Sequence, residues 1–352
     1  MSDLPNAYQT AELENGRVSI VTKKFPHHLL SEGTVVVRPD HIGVCRADVK
    51  EVIGSRDIPT DRGPIFGHEL VGPVVFAGAR SGFQVGELVT FNPNITPDRT
   101  TGFAEYVFVH GSSEQLDQAF IRVPEHDIAR NIWMPEPMAC IVHATRKLLE
   151  FSKLSNLVGK KIGIIGAGCS GIMFALYAKH LGASVGIFNR GKVRRDFALD
   201  QQLFTEEELF SLDDVDACQN TFDIVMVVST IVTPEIQRIA ADLARNGGTL
   251  LIYGGTREGD KFLTSQVDID TVRRRERIQL AKYQEKELHI CGAYGCYKED
   301  YEESFRLRAD YPDHFPLDRI VSEEVDLDGF AELVMGMASG GKDYPGKVVV
   351  RT

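Results

Sequence analysis

Residues 162–171 constrain this chain more than any other stretch. The apolar segment Ile162–Ile165 runs into Gly166-Ala167-Gly168-Cys169-Ser170-Gly171, which opens onto a second apolar segment, Gly171–Leu181. Glycines spaced G-x-G-x-x-G at a strand-to-helix junction have a steric logic. The first permits a tight turn, the second lets backbone approach a pyrophosphate, and the third lets helix pack on strand. The helix N-terminus there also offers N–H groups and partial positive charge to an anion. Glycine is frequent here (32 residues), so the flanking apolar strand and helix, more than the spacing, give the motif its meaning. The alternative is a plain strand-to-helix turn without a ligand.

The alternation continues beyond the turn. Strands are expected at Ser184–Phe188, Phe222–Val228 and Gly248–Tyr253, with a helix at Pro234–Arg245. Repeated β-α-β predicts an α/β fold with a doubly wound parallel sheet, placed at residues 156–291. The second strand ends in Asn189-Arg190 with no acidic residue to accept bonds from a ribose. Arg190 and Lys192 follow at once, which favours NADP(H) over NAD(H). The expected cofactor contacts are therefore Gly166, Gly168, Cys169, Ser170, Gly171, Asn189, Arg190 and Lys192, with Ser229 and Gly254 past later strands. Arg194 and Arg195 read as a solvated helix face.

Residues 1–155 have a different character. Short strands at Thr34–Arg38, Glu69–Ala77, Glu87–Asn92 and Ala104–Val109 are punctuated by Gly and Pro, which suggests a compact barrel or sandwich. Helical spacing begins near Pro137 and covers Met138–Phe151. The stretch from Gly292 to residue 352 ends in Gly346-Lys347-Val348-Val349-Val350, a strand expected to return to the first domain. Two domains suit 352 residues. A net charge of −11 argues against a nonspecific nucleic-acid grip, and no apolar run is long enough to span a bilayer. The N-terminus shows no secretion signal, and six scattered cysteines fit no disulfide framework; a cytoplasmic protein is the expectation. The basic segment Thr271–Glu287 reads as a solvated helix, with a subunit or cofactor-phosphate contact as the other reading.

Four residues raise the question of a metal: Cys45, the adjacent His68 and Glu69, and Glu136 between two prolines. Thiolate, imidazole and carboxylate are each credible zinc ligands, and an incomplete protein shell leaves room for water or substrate. Singly, each has an ordinary explanation, as a small buried hydrophobe or a surface group. Spacing alone leaves the two readings even.

The stretches Gly43-Val44-Cys45-Arg46-Ala47-Asp48, Gly67-His68-Glu69-Leu70-Val71-Gly72, Glu136-Pro137-Met138-Ala139-Cys140, the glycine turn and Gly292-Ala293-Tyr294-Gly295 occur in that order. Together they resemble the zinc-dependent medium-chain dehydrogenase/reductase family, and within it the sorbitol and polyol dehydrogenase branch. The resemblance implies a GroES-like β-barrel catalytic domain, built from both chain ends, beside a Rossmann domain. It implies one catalytic zinc on Cys45 and His68, with Glu69 and Glu136 as carboxylate ligands and a water between Glu136 and the metal. Asp48 becomes the acid behind His68, Gly292 and Ala293 join the cofactor contacts, and a homodimer or homotetramer is implied.

This sequence departs from the family pattern in three places. Phe91–Arg99 contains no cysteine, so no structural zinc is expected. Ala47 stands where relatives carry the proton-relay hydroxyl, and Lys50 where they carry the relay's outer histidine. The proton then falls to water or Lys50, which joins Asp48 and Glu69 as a candidate catalytic group. Cys45–Asp48 followed by Gly54-Ser55-Arg56-Asp57 is also similar to a ribulose-5-phosphate reductase-like branch, which implies NADPH and a phosphate held by Arg56 and Lys50. The expected activity is hydride transfer between NADP(H) and a small-molecule polyol, sugar, sugar phosphate or cyclitol, with no nucleic-acid or membrane partner. The rivals are a zinc-free quinone or enone reductase on the same fold and a non-catalytic NADP(H)-binding protein.

Overall fold

The computed structural model describes residues 4–55, 66–95, 98–124 and 134–352. Arg56 and Asp57 lie outside them. The chain forms two compact units, Met1–Pro137 with Val321–Thr352, and Met138–Ile320.

In the first unit, Asn15 and Gly16, both with positive φ, turn β1 (Ala7–Glu14) into the antiparallel β2 (Arg17–Lys24). Sequence reading had not identified this hairpin. The unit continues with β3 (Thr34–Val37), β4 (His41–Val44), α1 (Arg46–Val52), β5 (Glu69–Ala77), β6 (Leu88–Phe91), β7 (Asp98–Arg99), β8 (Val107–His110), α2 (Ser113–Ala119) and β9 (Phe120–Arg122). Strands β3 to β9 join two strands from the far end of the chain in a nine-stranded curled sheet. β3 is buried at every position, as a strand covered on both faces should be.

The second unit opens with α3 (Pro135–Ser152), whose first turn belongs to the first unit. Then come β10 (Lys161–Ile165), α4 (Cys169–His180), β11 (Ser184–Phe188), α5 (Lys192–Asp200), β12 (Leu209–Phe210), β13 (Phe222–Val227), α6 (Pro234–Leu243), β14 (Ala244–Ile252), α7 (Ile269–Arg274), β15 (Ile278–Tyr283), β16 (Lys286–Gly292) and α8 (Lys298–Asp310). The sheet order is β12-β11-β10-β13-β14-β16-β15, parallel except for β15 on the edge. Reversal of strand order at β10 gives the doubly wound arrangement, with the glycine turn at the switch point. The Thr233 hydroxyl and Pro234 at the first helical position start α6, and its apolar face packs on the sheet.

The chain then returns to the first unit. β17 (Val321–Asp326), α9 (Leu327–Ala338) and β18 (Lys347–Arg351) complete it, and β18 pairs antiparallel with β4. Phe330 of α9 stacks on Phe103 at 4.0 Å between ring centroids, both fully buried. Removing such a ring costs about 3–5 kcal/mol, so the C-terminal segment is bound into this core. The units divide at Pro137/Met138 and Ile320/Val321, whereas the sequence reading divided the chain at 155/156 and 291/292.

One expectation is corrected. Thr271–Glu287 is not a single solvated helix: α7 ends at Arg274, Glu276 takes a positive φ, and β15 and β16 form a hairpin turned at Gln284. In β15 only Ala281 is buried while Leu280 is exposed, so the strand shows no clean apolar alternation and its cations dominate the pattern. Among the described residues no helix is long and apolar enough to cross a membrane.

Candidate metal centre and dinucleotide turn

β4 ends at Val44 and α1 begins at Arg46, which makes Cys45 the capping residue between them, in extended conformation (φ −97°, ψ 156°). Asp48, three residues on, closes the cap: its Oδ2 accepts the Cys45 N–H at 2.7 Å. Its Oδ1 accepts the Gly67 N–H at 3.0 Å and faces His68 Nδ1 at 3.6 Å, an ion-pair distance beyond hydrogen-bond range. One buried carboxylate thus fixes both segments that carry the candidate ligands.

Cys45, His68 and Glu69 converge, with one ligand atom from each lying within 4.8 Å of the others. Burial works against a charged His68, but the neighbouring Asp48 and Cys45 outweigh it and hold the imidazole well above its usual pKa. Burial and the Glu69 carboxylate push the Cys45 thiol up, against the opposite pull of His68 and Lys347. A half-buried thiol beside a buried imidazole and carboxylate forms a donor set that suits zinc.

Glu69 has a second partner. Lys347 of β18, 5% exposed, forms an ion pair with Glu69 Oε2 without meeting the angular demands of a hydrogen bond. Gly43 makes room for this carboxylate, because a Cβ there would lie 2.2 Å from Glu69 Oε2. Lys347 was missed by sequence reasoning, though a signal existed: a lysine inside Lys347-Val348-Val349-Val350 must face solvent or find a buried acid.

Glu136 is buried in the first turn of α3 and is not part of the Cys45–His68–Glu69 group; its carboxylate lies within 4.8 Å of the Cys140 sulfur, one turn along the same helix. Ala47 and Lys50 sit on α1, where Lys50 is half-buried.

In the second unit the glycine turn is close-packed. Gly166 takes φ +117°, and a Cβ at position 171 would lie 1.8 Å from the Gly166 carbonyl oxygen, so only glycine fits at 171. Gly168 caps α4, leaving Cys169 and Ser170 in its first turn. Asn189 stabilises the turn: its Oδ1 accepts the Ala167 N–H at 3.2 Å and its Nδ2 donates to the Gly191 carbonyl at 2.8 Å. Arg190 and Lys192 are exposed and paired with Glu235 and Asp196. Arg195, read as solvated, donates to the Asn189 carbonyl at 2.7 Å, and Arg194 lies over Gly168. Ser229 donates to the Ile231 carbonyl, Gly254 packs against the Ser229 carbonyl, and Gly292 ends β16 with Ala293 buried after it. A cavity of about 660 Å³ in this unit lies elsewhere, beside His180 and His314, and no expected site residue lines it.

Known proteins share the fold that carries these residues. Residues 31–125 match the alcohol dehydrogenase GroES-like domain. Sorbitol dehydrogenase of Bombyx mori is 28% identical over 197 residues, covering 49% of this chain and 54% of that protein. The chain thus spans about half the length of that relative. Among solved structures, galactitol-1-phosphate dehydrogenase from Escherichia coli superposes with a TM-score of 0.72 at 18% identity, over 98% of this chain and 100% of that one. A zinc-binding dehydrogenase from Sinorhizobium meliloti 1021, bound to NADP, gives 0.70 at 20% identity, over 99% and 100%. Residues 31–125 thus carry the alcohol dehydrogenase GroES-like domain, and the whole chain shares the α/β fold of these dehydrogenases.

Proposed function

We propose that the protein is a zinc-dependent oxidoreductase that moves hydride between NADP(H) and the alcohol or carbonyl carbon of a polyol, a sugar or one of their phosphates. The observation that carries this reading is the convergence of Cys45, His68 and Glu69 in front of the buried Asp48. Cys45, His68 and Glu69 would hold the metal, with Glu136, which lies outside their group, as a further carboxylate. A zinc held there would supply Lewis-acid polarisation of the reacting C–O bond, and a bound NADP(H) would supply the hydride chemistry.

The chain's own residues do the rest. Asp48 fixes the Cys45 backbone and faces the ring of His68 from its Nδ1 side, which orients the imidazole. Lys347 balances the Glu69 charge. Ala47 offers no hydroxyl, so substrate protons pass to water or to Lys50, which lies three residues further along α1. The Gly166–Gly171 turn and the α4 N-terminus receive the cofactor's pyrophosphate, and Arg190 with Lys192 meets the 2′-phosphate. Sorbitol and galactitol 1-phosphate, named for the relatives above, support the polyol class.

The test is elemental analysis of the purified protein, NADPH and NADH titrations, and turnover on a panel of polyols, sugars and their phosphates. One zinc per chain, tighter NADPH and chelator-sensitive turnover are expected. Full activity in metal-free protein would overturn the reading, and chelator-insensitive reduction of a quinone would replace it.

A further inference from the structure

Cys140 and Cys296 form a dithiol that the proposed reaction does not use. Cys140 lies on α3 and Cys296 in the segment between β16 and α8, both in the second unit, and their sulfurs lie within 4.8 Å of each other. No disulfide joins any of the six cysteines.

The proximity is built in by contacts on both sides. The Tyr294 N–H donates to Glu276 Oε1 at 3.3 Å, and the same Glu276 oxygen bonds His143 Nε2 on α3. Beyond Cys296, the Tyr297 ring packs edge-on against the His143 ring at 5.1 Å, and Asp300 Oδ2 bonds His143 Nδ1 at 2.9 Å. His143 is one turn of α3 from Cys140, so these attachments fix the Cys296 segment opposite Cys140. Between the attachments, residues 293–297 have no regular secondary structure and Gly295 takes φ +78°. These residues are the ones that would have to move to bring the two sulfurs from within 4.8 Å to bonding distance.

We propose that Cys140 and Cys296 are a reversible oxidation site, converted to an intramolecular disulfide by hydroperoxides. Cys140 is the more accessible of the pair, and Cys296 is 2% exposed. Accessibility selects the first sulfur to react and burial the resolving one. The Cys140 thiolate attacks a peroxide oxygen; the O–O bond breaks, a sulfenic acid forms, and water or an alcohol leaves. The Cys296 thiolate then attacks that sulfur, the S–S bond forms, and the S–O bond breaks to release a second water. Two thiols lose two electrons and two protons, and the peroxide takes them up. Cys291 is a poor substitute for Cys296: it is fully buried, and burial pushes its thiol up to about 12.

The experiment treats the metal-replete protein with hydrogen peroxide, alkylates the remaining thiols, and maps tryptic peptides without reduction. The expected product is a peptide linked through Cys140 and Cys296, identified by fragment masses and lost on adding dithiothreitol. Cys140→Ser should abolish it, and so should Cys296→Ser, with unchanged circular dichroism showing that each variant folds. Sulfinic acid at Cys140 without the link, a link to any other cysteine, or a link formed only in urea would overturn the proposal. The test reads mass alone, so its failure would leave the assignment of the reaction standing.

Discussion

Lys347 of β18 pairs with Glu69 of β5 inside the first unit, their side chains 6% and 2% exposed. The contact ties the C-terminal strand to the candidate metal residues and leaves neither charge in water. Deleting one member of a buried pair strands the other, which costs about 3–5 kcal/mol. Lys347→Met should therefore lower stability by about that amount in urea unfolding. Adding Glu69→Gln should recover most of the loss, because no buried charge remains uncompensated. A single variant within about 0.5 kcal/mol of the parent would mean that the pair contributes no net stability.

Asp48 serves two segments with one carboxylate, so its replacement should act on metal binding and on folding. Asp48→Asn keeps an acceptor for the Cys45 N–H but removes the charge that faces His68. Loss of such outer partners typically weakens metal affinity or activity about 10–100-fold. Competition with a chromophoric chelator should show a drop of that size, and the metal-free protein should also lose stability because the amide leaves the Gly67 N–H without its acceptor.

The glycine turn was legible because its constraint is steric and local: Gly171 fits only against the Gly166 carbonyl, and sequence records that as glycine. Cys45, His68 and Asp48 were legible as a pattern, yet their convergence depends on the pairing of β4 with β5, which spacing does not express. The pairings of Lys347 with Glu69 and of His143 with Asp300 stayed hidden because each joins residues far apart in the chain. The β15–β16 hairpin was misread for another reason. Its cations drew attention to a solvated helix, while the positive φ at Glu276 and Gln284 falls on residues that do not advertise a turn.

The His143 network predicts a pH dependence. His143 is fully buried, with Asp300 on Nδ1 and Glu276 on Nε2, and Arg146 and Lys147 pair with the same acids. Burial opposes its charge, but the two carboxylates prevail and raise the imidazole above its ordinary 6.5. Burial likewise acts against the Asp300 charge, and His143, the Tyr297 N–H and Arg146 together lower that carboxyl below its ordinary 3.8. The histidine's contribution is therefore complete below 6.5 and is lost as pH rises through its raised native value. The aspartate's contribution is complete above 3.8 and is lost as pH falls through its depressed one. His143→Gln should cost most between those two ordinary values, by about 3–5 kcal/mol, and progressively less at higher pH. Urea unfolding of both proteins from about pH 5 to about pH 9, the range in which imidazoles change charge, checks this. A difference independent of pH would show that His143 acts through packing alone.

Arg190 tests the cofactor reading. Its guanidinium is 74% exposed and its pairing with Glu235, at 3.4 Å, is an exposed contact of the kind that contributes little. The side chain can therefore turn to a 2′-phosphate at little cost, and a charge-assisted bond to that group contributes about 1.5–3 kcal/mol. Arg190→Ala should weaken NADPH roughly 10–100-fold by that arithmetic and leave NADH nearly unchanged, as read by cofactor fluorescence titration. Lys192→Ala should have a smaller effect in the same direction, since a lysine offers a phosphate a point charge where Arg190 offers a fork of donors. Equal weakening of both cofactors would place Arg190 at the pyrophosphate instead, and the preference for NADPH would need another source.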